Sequence, residues 1–332
     1  MEKAPNIRRR DIDAAHAPDC SCYRQTSAPL RICLMGEHLD WHGGNSVVAA
    51  IQHRAFVGLG RPGLKLPRVL GIDRLTRYLS NEKTLSLQPV AVRVHPGLDG
   101  LGLGSTSAVM VAAAFGMQSV ASSVYIRQAR AVDAAYRAEF EVFKGGGMDH
   151  IASGFAGIAL TSGGFGALPV VDRHELKSFG QDGLSFIVID TRIPKQSGSI
   201  MRQLRTEYKK EMQDYANSVS DLSDVVFDSI VAGNVDNIVQ LFEAVQRQMV
   251  RLPPVCPPSL IEIIEELARH KIRGVKVCGS GGGGALIFPH IPGSTEHATI
   301  LDKFFPKLSY FRTGLSDDPV RTDHEGAGVC SG

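Results

Sequence analysis

The chain has 332 residues, of which 43% are hydrophobic and 21% charged, a composition typical of a folded protein with one large or two ordinary domains. Lys and Arg total 36 against 34 for Asp and Glu, and the net charge of +2 argues against a protein built to bind nucleic acid or an anionic membrane. Its 35 glycines are concentrated in a few clusters, and we expect those clusters to carry the chemistry.

Cysteine spacing and hydropathy address the cellular compartment. The six cysteines form no Cys-x-x-Cys pair, so we expect free thiols in a reducing cytoplasm. The longest apolar run, 108–117, is about half of a membrane span. Residues 1–10 lack the apolar stretch of a secretory signal. The sequence therefore predicts a cytoplasmic protein with no membrane partner.

The first half predicts a mixture of strands and helices. Apolar residues over 30–35 predict a strand, a polar turn covers 36–45, and β-type residues resume at 46–51. The stretch 52–95 predicts short strands broken by Gly and Pro turns. Three further segments follow in chain order: a glycine loop over 97–104 that leads into a buried helix from Ser105, a second helix at about 121–142, and a short helical segment from Met148.

The second half alternates buried strands with amphipathic helices. We expect strands at 184–190, 274–278, 285–288 and 308–313, and helices at 198–216, 221–231, 235–250, 258–270 and 294–306. The predicted organisation is an N-terminal arm (1–26), an N-terminal domain (27–180), a C-terminal domain (181–315) and a flexible tail (316–332).

Two common nucleotide-binding patterns fail in this sequence. A P-loop requires Gly-Lys, and the chain has no such pair. The pattern Gly-x-Gly-x-x-Gly occurs over 279–284, but a strand follows it, whereas a dinucleotide phosphate needs a helix N-terminus there.

The cluster Gly100-Leu-Gly-Leu-Gly-Ser-Thr-Ser-Ala108 does lead into a helix. Glycines let the backbone approach an anion closely, and the first helical N–H groups point toward it. This segment, residues 100–108, predicts a phosphate site and is called the phosphate loop below. Alone it is also compatible with a simple capped turn.

Two more segments complete the pattern. Gly36-Glu-His-Leu-Asp-Trp-His-Gly-Gly44 follows the first strand, and Lys144-Gly-Gly-Gly-Met-Asp149 places a carboxylate after a glycine bend. Together with the phosphate loop and the 279–284 loop, they resemble the GHMP kinase superfamily, which includes galactokinase, homoserine kinase, mevalonate kinase and phosphomevalonate kinase. The first segment is similar to the galactokinase signature, and heptose 1-kinases belong to the same superfamily.

The resemblance implies an α+β GHMP kinase fold with a ribosomal-protein-S5-like N-terminal domain and a ferredoxin-like C-terminal domain, with the active site in the cleft between them. It implies ATP and Mg²⁺ as cofactors and a small-molecule sugar as substrate, in a monomer or homodimer. It implies transfer of the ATP γ-phosphoryl group to a hydroxyl. We expect this to be the anomeric C1 hydroxyl of galactose or of a heptose or octose, including one already phosphorylated at its far end.

The resemblance also implies residue roles. Asp149 takes the catalytic aspartate position, and Arg31 keeps it ionised. Substrate contacts are implied for Glu37, His38, Asp40, Asp190 and Thr191. Metal contacts are implied for Glu139 with Thr106 or Ser105. The nucleotide contacts implied are Gly100, Gly102, Leu103, Gly104, Ser105, Thr106, Ser107, Gly281 and Gly282. A distal phosphate on the sugar would bind Lys144, Lys195 or Arg202.

Departures from the galactokinase pattern leave the acceptor open. Trp41-His42 stands in place of Tyr-Asn, and the connection from Glu139 to Asp149 is about two residues shorter than in galactokinases. Two alternatives therefore remain. One is a GHMP kinase for a non-sugar alcohol of the mevalonate or homoserine type, and the other is a catalytically silent, galactokinase-like sugar sensor.

Overall fold

The computed structural model describes residues 23–61, 67–69, 71–80, 87–95, 97–118, 122–176, 184–234, 237–290 and 296–325. Over these ranges the chain forms two antiparallel sheets with helices packed against them, and the predicted α+β class is confirmed. Within the same ranges, no helix is long and apolar enough to cross a bilayer.

The elements of the first half are β1 (Arg24–Met35), α1 (Leu39–His42), β2 (Asn45–Gly60), α2 (Ile72–Ser80), β3 (Gln88–Val94), α3 (Ser105–Met117), α4 (Val124–Phe143), α5 (Met148–Phe155), β4 (Ile158–Ser162) and β5 (Val170–His174). Those of the second half are β6 (Ser185–Asp190), α6 (Ser197–Thr206), α7 (Lys209–Val231), α8 (Ile238–Met249), α9 (Pro258–Arg269), β7 (Lys276–Val277), β8 (Ala285–His290), α10 (Glu296–Phe304), β9 (Ser309–Gly314) and β10 (Arg321–Glu325).

The larger sheet has the order β10-β1-β2-β4-β5, and β3 also pairs with β2. The long β2 strand makes this possible, since its first half pairs with β4 and its second half with β3. The smaller sheet has the order β7-β8-β6-β9. The β1 strand is buried along almost its whole length, and from Ala28 to Met35 its sequence is apolar apart from Arg31 instead of alternating.

The buried helix α3 positions the glycine loop that precedes it. Its residues from Ser107 to Met117 are all buried, so it is apolar on every side and packs against both the sheet and neighbouring helices. Gly100, Gly102 and Gly104 adopt positive φ angles of 76°, 90° and 72°, a conformation that side chains with a β-carbon rarely adopt. The loop can therefore turn tightly into the first turn of α3.

A second glycine segment positions α5. Helix α4 ends at Phe143 and is capped by Lys144, which is left-handed with φ 54°, and α5 begins immediately after Gly147. A β-carbon at Gly146 would overlap the carboxylate of Asp40, so this position requires glycine. The bend brings the first turn of α5, including Asp149, against the loop that follows β1.

Several boundaries differ from the sequence predictions. The described part of region 52–95 contains the second half of the long strand β2, the helix α2 and the short strand β3, instead of short strands throughout. The break predicted between helices near 216–221 lies at 207–208 instead. Helix α7 continues without interruption to Val231, and its apolar face packs on the larger sheet. Strands β4 and β5 carried no clear signal in the sequence. The predicted domain boundary at 180 lies outside the described residues and stays a prediction.

The predictions for the two ends of the chain require correction. Residues 24–26, assigned to the N-terminal arm, belong to β1, and residues 321–325, assigned to the flexible tail, form β10 and pair with β1. The reason is local bonding: Arg54 donates to the carbonyls of Asp318 and Pro319 at 2.8 Å each, and Val320 is only 1% exposed. Residues 1–22 and 326–332 lie outside the described residues.

We predict that a chain ending at Ser316 is markedly less stable than one ending at Gly326, which keeps β10. Burial of a valine and satisfaction of a buried arginine each contribute on the order of 2 kcal/mol, so the shorter chain should lose about 3 kcal/mol or more. Urea unfolding of the two chains measures the difference. Equal urea midpoints for the two chains would show that the segment after Ser316 contributes no stability.

Candidate active site

One cleft of about 330 Å³ lies where the two halves of the chain meet, within the range of small-molecule sites. The phosphate loop and the start of α3 form one wall. The loop after β1, the start of α5 and the segment that joins β6 to α6 form the rest. The predicted residues that line it are Arg31, His38, Asp40, Gly100, Gly102, Gly104, Ser105, Thr106, Ser107, Glu139 and Asp149.

The Arg31–Asp149 pair lies at the centre of this cleft. Arg31 Nε donates to Asp149 Oδ1 at 2.5 Å, and a terminal nitrogen of the same guanidinium donates to Oδ2, so the contact is bidentate. Burial alone would raise the pKa of Asp149, but the charge and hydrogen bonds of Arg31 outweigh it and lower that pKa below its ordinary value. The carboxylate is therefore ionised and fixed in direction.

Asp40 is a second carboxyl group on the cleft, with the opposite electrostatic environment. It is 5% exposed, and its pKa is raised to about 7, first by burial and then by the charge of Asp149. A carboxyl that titrates near neutrality can accept a hydrogen bond from a hydroxyl or donate one to it. Its placement on the cleft agrees with the predicted substrate contact.

His38 lines the cleft as a neutral ring with both nitrogens engaged. Trp41 Nε1 donates to its Nδ1 at 3.1 Å, and its Nε2 lies 3.1 Å from the carbonyl oxygen of Ser280. This arrangement fixes the proton on Nε2, and burial lowers the pKa of His38 to about 4. His38 therefore joins the loop after β1 to the glycine loop after β7, and neither ring nitrogen is free for a ligand.

Glu37 does not lie on the cleft. Its side chain is fully buried, and Oε1 forms an ion pair with Nζ of Lys276 on β7. Lys276 Nζ also donates to the carbonyl of Cys33 at 3.0 Å and to that of Val277 at 2.8 Å. The structure thus corrects the substrate contact predicted for Glu37: the carboxylate joins β1 to the smaller sheet.

The metal site predicted at Glu139 with Thr106 or Ser105 stays a prediction, and a third hydroxyl, that of Ser107, also lies there. Ser107 Oγ, not Ser105 or Thr106, donates to Glu139 Oε2 at 3.0 Å, and the Oε2 atom also lies 3.0 Å from His150 Nε2. Ser105 Oγ instead donates to Asp99 at 2.9 Å. The helical repeat of α3 determines which hydroxyl reaches Glu139, because Ser107 lies on the face of α3 that packs against α4.

Other predicted site residues have structural positions off the cleft. Asp190 accepts a hydrogen bond from the Arg192 N–H, and Thr191 donates to the Gly284 carbonyl. Leu103 is fully buried, and its carbonyl accepts from the Arg31 N–H at 2.9 Å. Gly281 and Gly282 are required for packing: a β-carbon there would overlap Val255 or Ile200, respectively. Gly279 and Ser280 line the cleft in their place.

The three predicted distal-phosphate cations have separate positions. Lys195 lines the cleft, whereas Lys144 and Arg202 are exposed and lie outside its lining. Arg205 was not predicted from the sequence; its guanidinium stacks over Trp41 at 4.5 Å and over Phe165 at 5.1 Å.

Comparison with known proteins agrees with this geometry. Two family profiles match the chain: the galactokinase galactose-binding signature over residues 21–61, and the GHMP kinases C-terminal family over residues 229–297. In both segments the chain is similar to GHMP kinases. GHMP kinases use ATP and are phosphotransferases that act on alcohol groups, so the predicted family and enzyme class are confirmed.

Individual relatives come from more than one branch of the GHMP superfamily. Mevalonate kinase of Archaeoglobus fulgidus is 25% identical over 274 residues, which cover 78% of this chain and 90% of that protein. Lactococcus lactis galactokinase complexed with galactose superposes with a TM-score of 0.70 at 14% identity, over 90% of this chain and 94% of its own. L. major mevalonate kinase in complex with R-mevalonate gives 0.66 at 15% identity, over 89% and 98%.

We predict that Lys276→Met destabilises the protein by about 3–5 kcal/mol, because the Glu37 carboxylate is then buried without its counter-charge. The double variant Lys276→Met/Glu37→Gln removes both charges and should regain most of that loss. Urea unfolding of the two variants and the wild type measures the coupling. A single variant no less stable than the double would show that the ion pair does not hold the two sheets together.

Proposed function

We propose that this GHMP kinase transfers the γ-phosphoryl group of ATP to a hydroxyl of a small sugar, at the anomeric C1 position. The observation that carries the proposal is the ionised Asp149, held by Arg31 next to the phosphate loop. The galactose-binding signature over residues 21–61 and the carboxyl of Asp40 on the cleft support a sugar as the acceptor.

The glycine loop supplies the phosphate site in this proposal. The backbone of Gly100, Gly102 and Gly104 curves into the N-terminus of α3, where unpaired N–H groups and the helix dipole favour an anion. Such a site binds the nucleotide phosphates without a P-loop lysine.

Asp149 and Arg31 act at the acceptor oxygen. The carboxylate accepts the hydrogen bond of the attacking hydroxyl, orients it toward the γ-phosphorus and takes its proton as the new P–O bond forms. A base of low pKa is adequate, because the transition state of phosphoryl transfer is largely dissociative and the proton leaves late. The gain in rate then comes mainly from alignment and charge neutralisation.

The residues around Glu139 fit a magnesium ion. Its carboxylate and the Ser107 hydroxyl already share a hydrogen bond on the wall of the cleft, and Thr106 lines the same wall. Oxygen donors of this kind are the ones that Mg²⁺ uses, together with substrate phosphates and water. When bound there, magnesium would neutralise charge on the phosphates of ATP.

A non-sugar alcohol is a second candidate acceptor. Glu37 and both ring nitrogens of His38 are engaged within the protein, which leaves fewer polar groups for a polyhydroxylated ligand. Trp41, Phe143 and Met148 add apolar surface to the cleft. The mevalonate kinase relative, at 25% identity over most of this chain, also favours this candidate.

ATP consumption with a panel of acceptors tests the proposal. The panel contains galactose, other hexoses, a heptose 7-phosphate, mevalonate and homoserine, and phosphorus NMR identifies the product. We expect a sugar 1-phosphate, recognised by coupling to the anomeric proton and by acid lability. A product on another sugar carbon overturns the C1 assignment, turnover of mevalonate or homoserine alone favours the second candidate, and sugar binding without turnover indicates a sensor.

We predict that Asp149→Asn lowers turnover by roughly 10²-fold or more, the scale of losing a general base, while ATP affinity changes little. Steady-state kinetics with the acceptor from the panel measure the first effect, and calorimetry with ATP the second. The control is Asp133→Asn, an exposed carboxylate of α4 that pairs only with Arg137 among the described residues. Turnover near wild type in Asp149→Asn would remove this carboxylate from the chemistry.

A further inference from the structure

The phosphate loop lacks a cation of its own. Residues 97–107 contain no Lys or Arg, and they include the acidic Asp99. Backbone N–H groups and a helix dipole supply only partial charges, whereas a triphosphate carries several full ones. Among the described residues that line the cleft, Arg31 and Lys195 are the arginine and lysine side chains.

Most of the hydrogen-bond donors of Arg31 already have partners within the protein. Its Nε and one terminal nitrogen donate to the two carboxylate oxygens of Asp149, and its other terminal nitrogen donates to the Gly102 carbonyl. Its charge therefore serves mainly to fix Asp149 and the phosphate loop. A second cation is required if the phosphoryl group is to be neutralised from the protein side.

Lys195 has the position for that second cation. Its Nζ lies directly over Gly102, so that a β-carbon there would collide with it, and its Cδ packs beside Gly284. The backbone on which it lies is fixed, because the carbonyl of Ile193 accepts from the Gly284 N–H at 3.0 Å. No hydrogen bond or ion pair with the described residues engages its ammonium group.

We propose that the Lys195 ammonium binds the γ-phosphoryl group of ATP and stays with it during transfer. This inference rests on the proposed function. As the bond from the γ-phosphorus to the ADP oxygen breaks and the bond to the acceptor oxygen forms, the acceptor proton passes to Asp149. Lys195 remains protonated and neutralises charge on the transferred group.

The electrostatic surroundings of Lys195 give this inference a pH signature. Burial and then the charge of Arg31 lower the pKa of Lys195 to about 8, while Cys278 and Asp149 oppose that change; neutral His38 also faces it. Lys195 is mostly charged at pH 7 and loses its charge as the pH rises through about 8. Affinity that depends on this ammonium must therefore fall over the same interval, whereas an arginine would keep its charge.

Nucleotide binding tests the inference without knowledge of the acceptor. We would compare MgADP with the magnesium complex of the non-hydrolysable analogue AMP-PNP by calorimetry, for the wild type, Lys195→Met and Lys195→Arg. The control is Lys209→Met, an exposed lysine at the start of α7. A charge-assisted hydrogen bond contributes about 1.5–3 kcal/mol, so Lys195→Met should lose about 10- to 100-fold in AMP-PNP affinity.

The inference requires a selective loss. MgADP affinity should stay near wild type in Lys195→Met, and Lys195→Arg should retain AMP-PNP binding that does not weaken between pH 7.5 and 9. An equal loss for both nucleotides, or no loss for either, overturns the inference and leaves the proposed function in place. Absence of binding of either nucleotide to the wild type overturns both.

Discussion

The bidentate contact between Arg31 and Asp149 is the interaction on which the rest of the site depends. Arg31 lies on the buried strand β1, and its guanidinium reaches both α5 and the Gly102 carbonyl of the phosphate loop. One side chain thus fixes the position of the Asp149 carboxylate relative to the phosphate loop. Because the pair is shielded from solvent, the charge of Arg31 lowers the pKa of Asp149 by more than burial raises it. In a pair exposed on the surface, water and salt would screen much of this effect.

The same constraint separates the behaviour of two neighbouring carboxyl groups. Gly146 lets Asp40 approach the first turn of α5, where it is close enough to Asp149 for their charges to interact. Arg31 favours the charged form of Asp149, and burial disfavours the charged form of Asp40. A site with one permanently ionised carboxylate and one that titrates near neutrality can orient two different hydroxyls of an acceptor, or a hydroxyl and another polar group.

Much of this arrangement could be predicted from the sequence, because the glycine motifs require particular backbone shapes. The phosphate loop and the bend before Asp149 follow from residues close together in the chain. The placement of Arg31, Asp40 and Glu139 was instead implied by the resemblance to GHMP kinases, since Arg31 lies 118 residues before Asp149. Glu37 could not be placed in this way, since its partner Lys276 lies on a two-residue strand far along the sequence. Likewise the hydrogen bond from Ser107 to Glu139 depends on which face of α3 packs against α4. Strand β10 could not be predicted because it pairs with an edge of β1 that exists only in the folded sheet.

The pairing of β10 with β1 also governs the order in which this enzyme can assemble. Arg24 at the start of the larger sheet pairs with Glu325 near the other end of the chain, and β1 is the strand that carries Arg31. During synthesis the N-terminal half leaves the ribosome with that sheet edge uncovered, and it remains so until residues 321–325 have emerged. The nascent protein therefore displays an unpaired strand edge, a template for mispairing, throughout most of its translation. A contact that lies well away from the cleft thus determines how long this strand edge stays exposed during synthesis.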